Sequence, residues 1–328
     1  VKKIAGIFAV LIAVAAVTTL IEPNFLSSNN IRNIARWTGM YGIMTIGMTF
    51  VIITGGIDLS VGAIVGLTGT LLPMFLTQSH PPLPVGAAII ILLAISALIG
   101  LVHGLLITRL RLQPFVVTLC GLFAYRGLAR YISGDATQGF GNGYQGLRYL
   151  ASGSILSIPA PFILLIIIAI LAAIFLNRSI YGLYLRALGN NEQAARYSGI
   201  NTGRMIIAAY MISAVLAGWA GMLFALDLNS VQPSSMGSFF ELYAIAGAVL
   251  GGCSLRGGSG SIIGVIIGTA IVRVLYNSIN ILGIATQLEY TVIGIVLLLG
   301  VMADEVIKRF SAARLRVREG LSGRKKTV

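Results

Sequence analysis

The sequence predicts an all-α fold: a polytopic helical membrane protein of about ten transmembrane helices with both termini in the cytoplasm. Three observations predict it. Of 328 residues, 57% are hydrophobic and only 10% charged, against roughly 25% charged in a soluble domain. The apolar residues fall in repeated runs, each near the roughly 20 residues a helix needs to cross a bilayer. The basic residues are sorted: seventeen of the 23 fall on one side of those runs, the loop bias that marks the cytoplasmic face. The net charge of +13 is therefore a topology signal and not one nucleic-acid-binding patch.

The elements follow in order. After Lys2 and Lys3, the run Ile4–Ile21 exceeds the roughly 7–15 residues of a signal-peptide core, so it reads as an uncleaved first span. The second span is expected over Arg36–Thr54, the third over Leu59–Thr77, the fourth over Val85–Thr108 and the fifth over Pro114–Ser133. Pro159–Leu176, Arg204–Leu226, a short eighth at Phe239–Gly252, Ser261–Asn280 and Leu288–Met302 complete the set. Loops 78–84, 134–158, 227–238 and 281–287, rich in Pro, Gly, Ser and Asn, read as exposed outer connections. One transmembrane domain is expected over 1–304, followed by a basic cytoplasmic tail over 305–328. A five-plus-five inverted repeat is compatible with this count but is not visible in the residues.

The connection between the second and third spans is Thr54-Gly55-Gly56-Ile57-Asp58-Leu59-Ser60-Val61-Gly62, and Asp58 is the sole Asp, Glu, Lys or Arg between Arg36 and Arg109. A charge at the bilayer centre costs about 2.5–3.5 kcal/mol. The charge bias places this break at the cytoplasmic end of its two spans. There Gly55 and Gly56 allow the turn, and Asp58 or Ser60 caps the third helix. Gly251-Gly252-Cys253-Ser254-Leu255 is a short echo of it.

Other groups sort quickly. Cys120 and Cys253 lie in or beside apolar spans and read as small core residues. His80 and His103 are too few for metal catalysis, so no metal is expected, and His103 reads as a packed residue. There is no Gly-x-x-x-x-Gly-Lys-Ser/Thr loop. Gly257-Gly258-Ser259-Gly260-Ser261 lacks the lysine that reaches a phosphate. The chain is therefore read as no enzyme, with no bound cofactor, and its energy comes from a partner or an ion gradient.

Three sets of residues carry the functional reading. In the loop 177–203, Asn190 or Asn191 can cap a short helix with Glu192 in its first turn, and Gly199 is a natural stop. Such a helix between two spans can transmit a push from a soluble partner, although a solvated charged loop explains the same composition. Arg126, Arg273, Asp227, Glu241 and Glu289 fall in the outer halves of their spans, where they can neutralise one another or form a polar collar. Asn277 and Asn280, three apart, share a face of the ninth span, and amides suit a neutral polyol as well as interhelical hydrogen bonds. With Glu289 they form a candidate translocation path. Gly39, Gly42, Gly47, Gly62, Gly66, Gly69, Gly264 and Gly268 read as close helix-packing positions.

Several segments together resemble the ribose/xylose/arabinose-type permeases of bacterial ABC importers, in the branched-chain amino acid/ribose permease superfamily. They are Ile46-Gly47-Met48-Thr49-Phe50-Val51-Ile52 with the Asp58 break, Ala187-Leu188-Gly189-Asn190-Asn191-Glu192 through Ser198-Gly199-Ile200-Asn201, and Val249-Leu250-Gly251-Gly252. They occur in the family's order over nearly the whole chain. The sequence departs from the common pattern at His103, Asn190 and Tyr243. The resemblance implies the permease subunit of an ATP-driven importer in the bacterial inner membrane. Such a subunit moves a monosaccharide, a pentose or related sugar, received from a periplasmic binding protein. It implies partners: ABC ATPase subunits, which use the ATP, and a second permease. It also implies that Leu188, Gly189, Asn190, Asn191, Glu192, Ala195, Ser198 and Gly199 form the ATPase-coupling helix. The alternative is an ion-coupled secondary transporter with Asp58 or Glu289 as its ion site.

Overall fold

The computed structural model describes residues 2–288 and positions 290–292, 294, 295 and 298. Glu289, most of the expected tenth span and the tail 305–328 lie outside the described residues. Twelve helices occur among them: α1 Lys2–Ile21, α2 Ser28–Ile53, α3 Val61–Thr77, α4 Val85–Arg109, α5 Pro114–Ser133 and α6 Gln145–Ser152, then α7 Ala160–Arg178, α8 Ile180–Asn190, α9 Glu192–Tyr197, α10 Thr202–Leu228, α11 Phe240–Leu250 and α12 Ile262–Ile281. A two-residue hairpin, β1 Ser154–Ile155 with β2 Ile158–Pro159, joins α6 to α7. Five helices, α4, α5, α7, α10 and α12, are long and apolar enough to cross a membrane. The apolar stretches of α1, α3 and α11 are shorter. Of the ten expected spans, the described residues thus give five by length and composition.

Local chemistry sets the helix starts. Ser27 and Ser179 accept from the backbone N–H groups of Asn30 and Gly182, and Asn201 and Ser261 from those of Arg204 and Gly264. Each satisfies a donor that the first turn leaves free. Pro114, which lacks an N–H, opens α5 at no cost in hydrogen bonds.

Helix α2 is the axis of the bundle. Every residue from Thr38 to Ile53 is buried, as expected of a helix surrounded by others. It runs antiparallel to α10, with Trp37 and Tyr41 against Phe224 at one level and Gly47 on the backbone of Ser213 at another. α4, α2 and α3 all pack on α10. Small residues permit these approaches: Gly100 on Tyr210, Gly104 on Ile207, and Gly221 on Val65. The glycines expected as packing positions serve that purpose, including Gly39 against Pro161, Gly42 against Leu165 and Gly268 against Gly247.

α2 begins eight residues before the expected Arg36. Its first turns are polar because they face protein: Asn30 pairs with Asn277, and Arg36 with Asp227.

Two breaks depart from expectation. After α2 the chain reverses at Gly55 (φ +83) and turns back inward. Asp58 is fully buried and meets Ser213, eleven residues along α10. At 1.5 Å per residue that is roughly 16 Å from the start of α10 and, through Gly47 on Ser213, about 9 Å from the end of α2, so Asp58 lies inside the bundle and not at the helix ends as the charge bias indicated. The segment 227–238, expected as an exposed loop, also turns inward once α10 ends at Leu228. Val231 and Met236 are buried, Val231 exchanges two backbone hydrogen bonds with Gln138, and Gly237 lies against Gly62. Non-helical backbone at such depth is stable only when protein satisfies its polar groups. The two breaks enter from opposite ends and meet at Gly62 and Gly237. α3 and α11 therefore both start inside the bundle and run in opposite senses. This inverted relation of α2–α3 to α10–α11 was hidden in the sequence because the two breaks share no motif.

Candidate functional site

The first candidate region is the end of the bundle that carries α8 and α9. The residues 177–203 were read as a loop with one short helix, but they hold two. α8 buries Gly182, Leu185 and Leu188 along one stripe and exposes Tyr181 and Leu183. It ends at Asn190, and Asn191 adopts an extended backbone whose side chain caps α9 by accepting from Ala194 N–H at 2.9 Å. The stretch Leu188–Gly199 is thus a helix end, a kink and a new helix of six residues.

Each expected coupling residue has a distinct place. Leu188 and Ala195 are buried anchors. Gly189 lies on the backbone of Ile53, the last residue of α2, and of Gly258, whose N–H donates to the Ile53 carbonyl at 2.9 Å. Asn190 borders Gly258. Glu192 accepts from Arg196 at 2.8 Å and from Thr202 Oγ1 at 3.2 Å, which ties α9 to the start of α10. Ser198 Oγ donates to the Ala194 carbonyl, and Gly199 ends the helix at φ +82. One residue that sequence reading passed over is prominent: Tyr197, at the end of α9, is 90% exposed.

The Asp58 corner lies behind this end. Asp58 Oδ1 accepts from the Ser60 N–H at 3.0 Å and the Ser60 hydroxyl at 2.6 Å, while Oδ2 accepts from Ser213 Oγ at 2.9 Å. Asp58 therefore closes a turn before α3, whereas Ser60 makes no side-chain cap to α3. The carbonyl of Ile57 accepts from Tyr210 and Thr118. Gly56 lies beneath the Tyr210 hydroxyl. His103 is buried with Nε2 2.8 Å from Tyr125 Oη, as a packed residue should be.

The described intramembrane charges interact in separate places: buried Glu241 and Arg126 attract each other electrostatically, and the rest pair elsewhere. Arg36 takes Asp227, at 3.2 Å. Arg126 donates to the carbonyl of Ser234 and the hydroxyl of Ser238 in the inward-turning segment. Arg273 pairs with aromatic faces, lying 4.3 Å from the Tyr276 ring centre, 4.5 Å from Tyr41 and 5.4 Å from Trp37. Paired apart in this way, the charges fix different helices. Apart from Tyr276, three residues from Arg273, the partners are remote in the chain, so no local pattern signals the pairing.

Arg273 also borders a cavity of about 140 Å³ between α2 and α12, lined by Asn33, Ile34, Trp37, Arg273, Tyr276, Asn277 and Asn280. Both expected path asparagines are on it. Asn277 forms a reciprocal amide pair with Asn30, at 2.7 and 2.9 Å, and Asn280 donates to the Tyr276 carbonyl at 2.8 Å. The third expected path residue, Glu289, lies outside the described residues. Among the described residues no cluster of His, Cys, Asp and Glu is arranged to hold a metal.

The apolar helices and the two buried breaks define a multi-pass helical membrane protein. Residues 30–301 match the family described as branched-chain amino acid transport system / permease component, and the chain belongs to that family. It is 38% identical over 300 residues to the ribose import permease protein RbsC of Bacillus subtilis (strain 168), covering 91% of this chain and 92% of that one. It is likewise 38% identical to RbsC of Escherichia coli (strain K12), with 91% and 92% covered. It is 33% identical to the D-allose transport system permease protein AlsC of the same strain, with 93% and 92% covered. No solved structure matches the chain.

Proposed function

We propose that this chain is the membrane-spanning permease subunit of an ATP-driven importer that carries a monosaccharide, a pentose or related sugar, into a bacterium across its inner membrane. The names of the ribose and allose relatives support the substrate class. In this reading the α8–α9 end is cytoplasmic, with both termini on that side and a tenth helix following α12. Residues 1–304 form one transmembrane unit and 305–328 a basic tail. The partners are an ABC ATPase, a periplasmic sugar-binding protein and a second permease. The ATPase binds and hydrolyses ATP, and this chain holds no cofactor.

One observation carries the mechanism: α9 is joined without slack to the helix that leads into the buried break. It projects from the bundle, capped at one end by Asn191 and tied to α10 through Glu192. Two residues before the kink at Asn191, in the last turn of α8, Gly189 rests directly on the last residue of α2. Interiors packed this closely transmit displacement instead of absorbing it. Motion imposed on α9 by a partner therefore reaches Ile53, the turn at Gly55 and Asp58, which is bonded to Ser213 of α10. Opening and closing of the two inward breaks, which meet at Gly62 and Gly237, switches the side from which the path is reached.

Reconstitution with the ATPase and binding protein tests this. Glu192→Ala should leave ATP hydrolysis measurable while sugar uptake falls. The cost in stability should be small, because exposed ion pairs contribute about 0.2–1 kcal/mol. Uptake per ATP equal to wild type would remove α9 from the coupling path.

A further inference from the structure

We infer that the cavity between α2 and α12 is a binding site for one monosaccharide on its way through the protein, with the Arg273 guanidinium as its main ligand. The inference rests on the import reading above and adds a site to it.

Arg273 is only 5% exposed. Among the described residues it has no carboxylate partner and no hydrogen bond to a protein acceptor, and its Nε is buried without one. Three aromatic rings hold the flat cation in place. Ring faces stabilise the charge, but they leave the N–H donors at the guanidinium edge unused. An ionisable side chain inside a membrane helix faces the bundle interior or a water-filled cavity and marks a ligand path. Arg273 borders such a cavity.

The rest of the lining selects the ligand class. Arg273, Tyr276, Asn277 and Asn280 form one stripe of α12, and Asn33 and Trp37 face it from α2. Asn280 donates one of its two amide N–H groups to the Tyr276 carbonyl and keeps its carbonyl oxygen as an acceptor. Donors at Arg273, an acceptor at Asn280 and aromatic walls match a ring that carries hydroxyl groups. An amino acid would satisfy Arg273 with its carboxylate, but among the described residues no Asp or Glu lines the cavity to receive its ammonium group. A volume of about 140 Å³ equals that of four or five waters at roughly 30 Å³ each, which is the scale of one sugar ring and too small for a disaccharide.

The test uses the whole importer, coexpressed with its ATPase and binding protein, in membrane vesicles. Asn280→Cys, in a chain carrying Cys120→Ser, places a thiol at the cavity rim, and Leu156→Cys supplies a control at a hairpin position that is 92% exposed. Thiol labelling is followed with D-ribose, D-xylose, D-allose, D-fructose, D-galactose or L-leucine present. A monosaccharide that the wild-type importer takes up should slow labelling at position 280 and leave position 156 unchanged. Arg273→Gln should raise the sugar concentration for half-protection about tenfold or more, the effect of losing a hydrogen bond to a charged group. The protection arm needs no change at Arg273, so a misfolded Arg273→Gln leaves it intact. Sugar uptake by wild type without protection by any sugar overturns the site and spares the import reading. Protection by L-leucine alone overturns the assignment to sugar. Absence of uptake of every monosaccharide by wild type overturns the import reading and the site with it.

Discussion

Asp58 and Ser213, 155 positions apart, are joined by a 2.9 Å hydrogen bond in the middle of the bundle. The bond fastens the inward-turning segment between α2 and α3 to the helix that follows α9. Hydrogen bonds to charged groups contribute about 1.5–3 kcal/mol, and a buried acceptor left without its donor costs a similar amount. Ser213→Ala should therefore destabilise the protein by about 1.5–3 kcal/mol, read as a lower melting temperature in detergent. Ser213→Thr, which keeps the hydroxyl, should recover part of the loss. An unchanged melting temperature for Ser213→Ala would show that the bond does not hold the break in place.

Arg36 and Asp227 join the first third of α2 to the last turn of α10 at 3.2 Å, with the Asp227 side chain 6% exposed and that of Arg36 31%. Removing one member of a buried pair strands the other, at a cost of about 3–5 kcal/mol. Arg36→Gln should fall near the lower end because the arginine is partly open. Asp227→Asn in the same chain should recover most of the loss, since no charge is then left alone. A double-mutant cycle on thermal unfolding checks this, and strict additivity of the two single effects would refute the pairing.

What the sequence revealed, and what it hid, divides by the range of the interactions. Composition and span length indicate the all-α membrane class, and the cap read at Asn190 or Asn191 falls on Asn191, which acts locally, within three residues of itself. The family motifs led to the α9 region for the same reason. The depth of Asp58 was not legible, because charge bias reports which side a loop is on and not how far it folds back. The segment 227–238 was misread for a related reason. Its Gln, Pro and Ser content is what exposed loops use, and only the remote residues Gln138 and Gly62 satisfy and cover it. α8 was missed because Ile180 to Leu188 is flanked by polar residues and follows a long span. The Arg273 cage depends on Trp37 and Tyr41, more than 200 positions away, so no local pattern announces it.

Gly189 and Gly199 flank α9, and they should respond differently to the same change. A Cβ on Gly189 would lie directly on the Ile53 carbonyl oxygen and the Gly258 nitrogen, both of them backbone atoms that no side-chain rotation can move aside. At Gly199 a Cβ would meet nothing within 4 Å, and the penalty there is the left-handed backbone alone, at φ +82, which costs a non-glycine residue roughly 1–2 kcal/mol. Gly189→Ala should therefore separate α8 from the end of α2 and abolish uptake or folding. Gly199→Ala should lower stability by about 1–2 kcal/mol and leave a measurable fraction of uptake. Comparison of folded yield and uptake for the two variants checks the order, and equal effects would contradict the close contact at Gly189.

Tyr197 gives the most direct test of what α9 touches. The side chain is 90% exposed at the end of a capped helix, while Ala195 two residues earlier is buried. An aromatic ring left fully in water contributes nothing to the fold, yet the helix that displays it is held firmly by Asn191, Glu192 and Thr202. Tyrosine is enriched among the few residues that carry most of an interface's binding energy, where truncation costs about 2 kcal/mol or more. If a cleft of the ATPase receives α9, Tyr197→Ala should weaken the association by about thirtyfold, the equivalent of about 2 kcal/mol, and leave the melting temperature of the isolated permease unchanged. Tyr197→Phe should keep most of the affinity, because burial of the ring accounts for more of the energy than the hydroxyl does. Co-purification of the ATPase with each variant, together with ATPase stimulation in vesicles, measures both. Wild-type association by Tyr197→Ala would show that the partner grips α9 elsewhere, on the exposed face formed by Gln193 and Arg196.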